Sequence, residues 1–198
     1  MHPAIVLLEF DSIAVGIEAG DSMAKRAPLQ SLHAGSVQPG KYIILAGGEV
    51  GDVEEARTAG REKGSRALVG EIYLPEVHAD VVTALTGGRR PVVGDALGII
   101  ETRTVAATIG ASDAGVKGAA VTLLEIHMAD GLGGKGYALF SGDLADVEAA
   151  VEVGVSTLPH PELLVARVVI PRLHPEMLSN LVDHPEFGPR ARSYRDRG

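Results

Sequence analysis

The sequence predicts an α+β fold built twice in tandem, each copy in the order βαββαβα. Three observations carry that prediction. Residues of the first half recur in the second half at near-constant spacing. Short apolar runs of strand length alternate with stretches whose apolar residues recur at helical spacing. A glycine- or proline-containing loop separates the second and third strands of each copy.

The repeat is read residue by residue. Glu9, Asp21 and Lys25 return as Glu101, Asp113 and Lys117, 92 positions on (101 − 9). His33, Gly40-Lys41, Gly48, Asp52-Val53-Glu54 and Gly60 return as His127, Gly134-Lys135, Gly142, Asp146-Val147-Glu148 and Gly154, 94 on (127 − 33). Pro75 and His78 return as Pro171 and His174, 96 on (171 − 75). The spacing is expected to change in loops, near Ala27-Pro28 and between Gly60 and Pro75, where insertions are tolerated. The expected domains are residues 4–86 and 94–182, joined by the turn-rich Thr86-Gly87-Gly88-Arg89-Arg90-Pro91. Residues 183–198, ending in the polar, basic RARSYRDRG, read as a loosely ordered tail.

In the first copy, residues 4–10 are an apolar run, read as a buried strand. Residues 13–27 read as a helix with Ile13, Ile17, Gly20 or Asp21, and Ala24 on one face, stopped by Pro28. Residues 29–34 and 41–46 are short strands flanking the loop Gly35-Ser36-Val37-Gln38-Pro39-Gly40. Residues 52–63 form a second helix, because Val53, Ala56 and Gly60 share a face. Residues 67–74 are a strand ended by Pro75, and 76–85 a short closing helix. In the second copy, 97–101 is a strand and 104–119 a helix. Residues 121–128 and 135–140 pair as a hairpin around 129–134. Asp143 is expected to cap a helix over 144–153, with Asp146 in the first turn where a carboxylate suits the dipole. A strand over 164–170 and a helix over 175–182 complete the copy. Strands in this order pair largely antiparallel, with helices covering one face.

Composition narrows the function. Hydrophobic residues make up 45% and aromatics only 4%, so the core is built from Val, Ile, Leu and Ala. A net charge of −8 argues against a nucleic-acid partner. The chain has no Cys, which excludes disulfides, thiolate metal sites and cysteine-ligated iron–sulfur clusters. No apolar run reaches the roughly 18 residues of a membrane span. The opening run lacks the charged and long apolar regions of a secretory signal, so a cytosolic chain is expected.

The candidate functional residues allow bland readings. Gly131-Leu132-Gly133-Gly134-Lys135-Gly136 is no phosphate-binding P-loop: the Gly-to-Lys spacing is wrong and no Ser/Thr or helix start follows. On its residues alone it is a flexible hairpin turn. Asp21/Lys25 and Asp113/Lys117 are i,i+4 pairs, contributing about 0.3–0.5 kcal/mol each as surface ion pairs. His33 and His127, equivalent by the repeat, precede the loops. They are candidates for binding a metal, against the reading of ordinary strand histidines. Glu9 and Glu101 have no nucleophile and His converging with them, so they read as structural carboxylates capping backbone amides, and no enzyme is expected.

The second copy resembles a bacterial microcompartment (BMC) shell domain. The resemblance is carried by Ala96-Leu97-Gly98-Ile99-Ile100-Glu101-Thr102, Asp113-Ala114-Gly115-Val116-Lys117-Gly118-Ala119, Val121-Thr122-Leu123, Ser141-Gly142-Asp143-Leu144 and Ile170-Pro171-Arg172-Leu173-His174, in order. The first copy is similar more faintly, through Glu9, Asp21, Met23-Ala24-Lys25 and Pro75-Glu76-Val77-His78. Two such domains over residues 4–182 resemble the tandem-domain shell proteins, unpermuted because the Pro-Arg-x-His block ends the copy.

That resemblance implies ferredoxin-like domains, each an antiparallel sheet covered by helices. Three chains would form a trimeric pseudohexamer, a facet tile packing against hexameric, trimeric and pentameric shell proteins in a cytoplasmic microcompartment. Ser36, Val37, Gln38, Pro39 and Gly40, with Gly131, Leu132, Gly133 and Gly134, would line a central pore for small metabolites. Loop amides aimed at the pore would favour anionic solutes. Lys25, Lys117, Arg172 and His174 would lie at the tile edge. Glu76 stands where the second copy has Arg172, so three of six edges would carry Glu. No cofactor, nucleic acid or membrane is implied, and the pore iron–sulfur cluster of one tandem subfamily has no Cys to hold it here. The alternative is a trimeric ligand-binding or regulatory protein of duplicated ferredoxin-like domains.

Overall fold

The computed structural model describes residues 4–183. Its first half runs β1 (Ala4–Phe10), α1 (Ile13–Arg26), β2 (Ser31–Val37), β3 (Lys41–Gly48), α2 (Val50–Gly64), β4 (Leu68–Leu74) and α3 (Ala79–Leu85). The second half runs β5 (Ala96–Thr102), α4 (Val105–Gly118), β6 (Thr122–Met128), β7 (Gly136–Gly142), α5 (Leu144–Ser156), a 3-10 turn Pro161–Leu163, β8 (Leu164–Ile170) and α6 (Pro175–Asp183). The residues of the expected tail beyond 183 lie outside the described residues, and Asp183 still belongs to α6.

Two four-stranded sheets result, in the orders β2-β3-β1-β4 and β6-β7-β5-β8. All pairings are antiparallel. β1 is central and buried along its whole length, because both faces are covered. Val6, Leu8 and Phe10 pack with Val15, Ala19, Met23, Val53 and Ala56 of α1 and α2. Ile5 and Leu7, on the opposite face, join Val77, Val81 and Ala84 in a cluster that continues into the second copy through Ile100, Val105, Ile109 and Ile126. One apolar core therefore runs through the junction between the copies.

The helices start where the sequence supplies caps. Ser12 accepts from the Val15 N–H (3.4 Å) and Thr104 from the Ala107 N–H (3.2 Å). Asp143 stands at the expected start of α5 but makes no capping bond, so the cap is positional only. The helix face read for α1 is the wrong one. Its buried residues are Val15, Gly16, Ala19, Gly20 and Met23, whereas Ile13, Ile17 and Ala24 are exposed.

Hairpin register relocates the first change of spacing. His33 lies opposite Leu45, but His127 lies opposite Tyr137, the counterpart of Ile43 (137 − 94). The backbone bond from Leu29 N–H to Ala27 C=O returns as Val121 to Ala119, still 92 on (121 − 29). The two extra residues thus sit in the β6–β7 loop and not near Ala27-Pro28, and His33 and His127 are not structural equivalents. Strand β2 also extends through Gly35, Ser36 and Val37, shortening the first loop.

Candidate functional site

The two loops expected at a pore lie against each other. Between β2 and β3 the chain turns tightly, with the Gly40 N–H donating to the Val37 C=O (2.9 Å), a cis Gln38-Pro39 bond and Gly40 at φ +107°. The β6–β7 loop is longer and winds through left-handed residues: Ala129, Gly131, Gly133 and Gly134 have φ of 50°, 74°, 64° and 83°. Glycine supplies that conformation at little cost. Gly134 is buried against the first loop: a Cβ there would stand 2.8 Å from Pro39 Cδ. Gln38, Pro39, Gly40, Gly131 and Gly133 are exposed, while Ser36 and Val37 sit on the end of β2, paired with Tyr42 and Lys41. Leu132 is half-buried.

The N–H groups of Asp130, Leu132, Gly134 and Lys135 donate to carbonyls of Met128, Ala129, Ala129 and Leu132. They close the loop on itself.

The two histidines have different surroundings. The His127 ring stacks on Tyr137, with centroids 5.3 Å apart and planes 6° apart. Its Nδ1 lies 3.3 Å from Glu125 Oε1 and its Nε2 3.3 Å from the Asp130 C=O. Arg89 from the linker pairs with Glu125 (2.7 Å). Burial pushes the Tyr137 hydroxyl up to about 12, with the neighbouring Glu125 carboxylate adding to the rise. His33 lies exposed on β2. Among the described residues, no group of three His, Asp or Glu is placed to hold a metal ion.

The expected edge residues split into an engaged set and an open set. Lys117 Nζ reaches Asp113 Oδ2 (2.6 Å) and also donates to the Glu76 C=O of the other copy. Asp113 Oδ1 accepts from the His78 N–H (2.8 Å), so one buried carboxylate ties α4 to the segment before α3. In the open set, Lys25 pairs with Asp21 (2.6 Å), and both are exposed. Arg172 is 87% exposed, with its Nε 4.0 Å from Asp95. His174 accepts from the Glu176 N–H (3.3 Å) at the start of α6.

Glu9 was legible as a buried carboxylate capping amides, but not whose amides. Its Oε1 accepts from the Ala106 N–H (2.6 Å), at the N-terminus of α4 in the other copy, and its Oε2 meets Lys41 Nζ (3.3 Å). A carboxylate suits a helix N-terminus because it neutralises the dipole and satisfies a donor that has no partner within the helix. Burial nevertheless outweighs both partners and pushes the Glu9 carboxyl above its ordinary range. Glu101, its counterpart, is partly exposed and holds only Lys135.

A duplicated α+β module whose buried charges tie one copy to the other has the build of an assembly component. Comparison with known proteins agrees. The BMC domain family model matches residues 4–77 and 96–173. The bacterial microcompartment shell protein PduT of Citrobacter freundii is 43% identical over 183 residues, covering 92% of this chain and all of PduT. The shell protein EutM of Salmonella typhimurium is 41% identical over 83 residues, 42% of this chain and 84% of EutM. A solved microcompartment protein from Desulfitobacterium hafniense superposes with a TM-score of 0.79 at 40% identity, covering 90% of this chain and 99% of that one. The chain belongs to the BMC domain family, carries two such domains, and is a structural bacterial microcompartment shell protein and not an enzyme. No helix among the described residues is long and apolar enough to cross a membrane.

Proposed function

We propose that this chain forms a homotrimeric, pseudohexameric facet tile of a cytoplasmic microcompartment shell, with a central pore that passes small metabolites. The observation that supports this reading is the junction between the two copies. One domain already docks on the other through buried apolar and charged contacts, as neighbouring subunits of a ring do. Six domains joined in that way are three chains. EutM, matched over a single-domain length, corresponds to one sixth of such a ring.

In this reading the contacting loops 37–41 and 129–135 face the axis, so that Ser36, Val37, Gln38, Pro39 and Gly40 alternate with Gly131, Leu132, Gly133 and Gly134 around the pore. Lys25, Lys117, Arg172, His174 and Glu76 lie at the rim, where other hexameric, trimeric and pentameric shell proteins pack. Three Glu76 and three Arg172 make the rim alternate in charge, which selects neighbours by complementarity.

Co-expression with a single-domain shell protein, followed by electron microscopy, tests the tile reading. Mixed hexagonally packed sheets or closed shells containing this chain are the expected result. Sheets that exclude it, with the chain remaining soluble as small particles, contradict the reading.

A further inference from the structure

The chain contains a single Asp-Gly step, Asp130-Gly131, and it lies in the β6–β7 loop. In such a step the backbone nitrogen of the glycine can reach the preceding side-chain carboxyl, because no Cβ stands in the way. Both residues are exposed. Gly131 sits at φ +74°, and a Cβ there would have no atom within 4 Å. The N–H groups on either side of it, of Asp130 and Leu132, are bonded within the loop. Among the described residues, the Gly131 N–H meets no acceptor and the Asp130 carboxyl meets no donor. Asp21-Ser22 is the contrasting case: Asp21 holds Lys25 (2.6 Å), and Ser22 lies inside α1, where the helix takes up its N–H.

A histidine is aimed at the same peptide group. The His127 ring, stacked on Tyr137, presents Nε2 to the Asp130 C=O (3.3 Å) and Nδ1 to Glu125 Oε1 (3.3 Å). Glu125 is itself paired with Arg89 (2.7 Å). Both oxygens facing the ring only accept, so the imidazolium, with a proton on each nitrogen, satisfies both. The Asp130 C=O and the Gly131 N–H belong to one peptide group. A charged donor on that carbonyl draws electron density out of the amide, which eases loss of the proton from its nitrogen.

We infer that Asp130-Gly131 is a self-modification site, at which the chain closes a succinimide and reopens it as isoaspartate, with His127 activating the peptide group. The Gly131 nitrogen forms a bond to Cγ of the Asp130 carboxylic acid and gives up its proton. The Cγ–OH bond breaks, and the hydroxyl leaves with that proton as water. The cyclic imide then takes up one water. Opening at Cγ restores aspartate. Opening at the former backbone carbonyl carbon leaves the chain running through Cγ and Cβ, with a free α-carboxylate. Water is the only species lost and regained.

The product does not fit the loop as it stands. Isoaspartate puts one more carbon into the backbone between residues 130 and 131. The Ala129 C=O receives the Leu132 and Gly134 N–H groups across that step (3.0 and 3.3 Å), and Gly134 rests against Pro39 of the first loop. Lengthening the backbone puts those closures out of register, so the modified chain has an opened β6–β7 loop. The first copy has no such site, since its turn runs Gln38-Pro39-Gly40. In the tile reading the change falls at the axis, but the chemistry does not depend on that reading.

Peptide mapping of the full chain after prolonged incubation in mildly acidic buffer, which favours the carboxylic acid and the imidazolium, tests the site. The expected result is a loop peptide lighter by one water, followed by an isomer of the original mass that endoproteinase Asp-N no longer cuts at residue 130. Isoaspartate at residue 130 no more abundant than at residue 21 overturns the inference and leaves the tile reading untouched. His127→Phe keeps a ring to stack on Tyr137 but lacks the donor, and is expected to slow the modification about tenfold, as for one lost hydrogen bond. His127→Gln, which retains an N–H for the Asp130 C=O, is expected between the two. A merely loosened loop would cyclise faster, so slowing reads the lost donor. Equal rates in the parent and His127→Phe overturn the part given to His127. In the separated isoaspartate form, amide exchange at Leu132 and Gly134 is expected to quicken, and unchanged protection overturns the opening of the loop.

Discussion

Glu9 is the residue on which the two copies depend most directly. It is fully buried, yet it meets partners from different halves of the chain: the Ala106 N–H and the Lys41 ammonium. Its carboxyl is raised above the ordinary value of 4.5, mainly by burial. The folded chain therefore holds this proton more tightly than the unfolded chain does. The stabilising contribution is full below the unfolded carboxylate range and is lost as pH rises through the raised folded value. Replacing Glu9 by Gln is expected to flatten that loss. Thermal melts from about pH 4 to about pH 7 check it, and parallel curves for the two proteins contradict it. Asp113 offers a second residue-scale prediction. Removing its carboxylate in Asp113→Ala leaves the His78 N–H and Lys117 without that acceptor, and is expected to cost about 2 kcal/mol in chemical denaturation. The type and burial of Glu9 could be read from its place at the end of an apolar run. Its partner could not, because Ala106 lies 97 residues away.

At the scale of elements, the glycines of α2 and α4 set how closely helices approach sheets. A Cβ on Gly64 would fall 2.0 Å from the ring of Phe10, which is itself fully buried. Gly64→Ala is expected to destabilise the first domain by about 2 kcal/mol through overpacking, read as a fall in the denaturation midpoint. Strand and helix identities were legible throughout, because an apolar run of seven residues and an apolar 3.6-residue stripe have different periods. What a stripe faces was not legible. Ile13 and Ile17 look like the inner face of α1, but Val15, Ala19 and Met23 are what its own sheet covers. The comparison with α4 explains this. That helix has ten buried residues, because one side meets its own sheet and the other meets the first copy. A helix built to be covered on two sides carries two apolar stripes, and sequence periodicity does not say which of them a single chain covers. The β6–β7 loop was misjudged for a related reason. Paired His residues suggested equivalence at a spacing of 94, while strand register, visible only in three dimensions, places the two extra residues inside the loop.

At the scale of the whole molecule, the proposed rim and the proposed ring are separate properties. In the proposed tile the rim carries Glu76 at one kind of junction and Arg172 at the other, so exchanging the charges should change which tiles pack together without changing the tile. Glu76→Arg and Arg172→Glu, each examined by electron microscopy of sheets, are expected to alter sheet order or partner choice. Sheets identical to the parent's contradict a role for the alternating rim. The proposed ring needs a contact between chains as well as the internal junction. Native mass spectrometry of the purified chain tests it most directly. A particle of about 62 kDa is expected, three chains of 20.6 kDa each. A stable monomer or dimer across the micromolar range would contradict it.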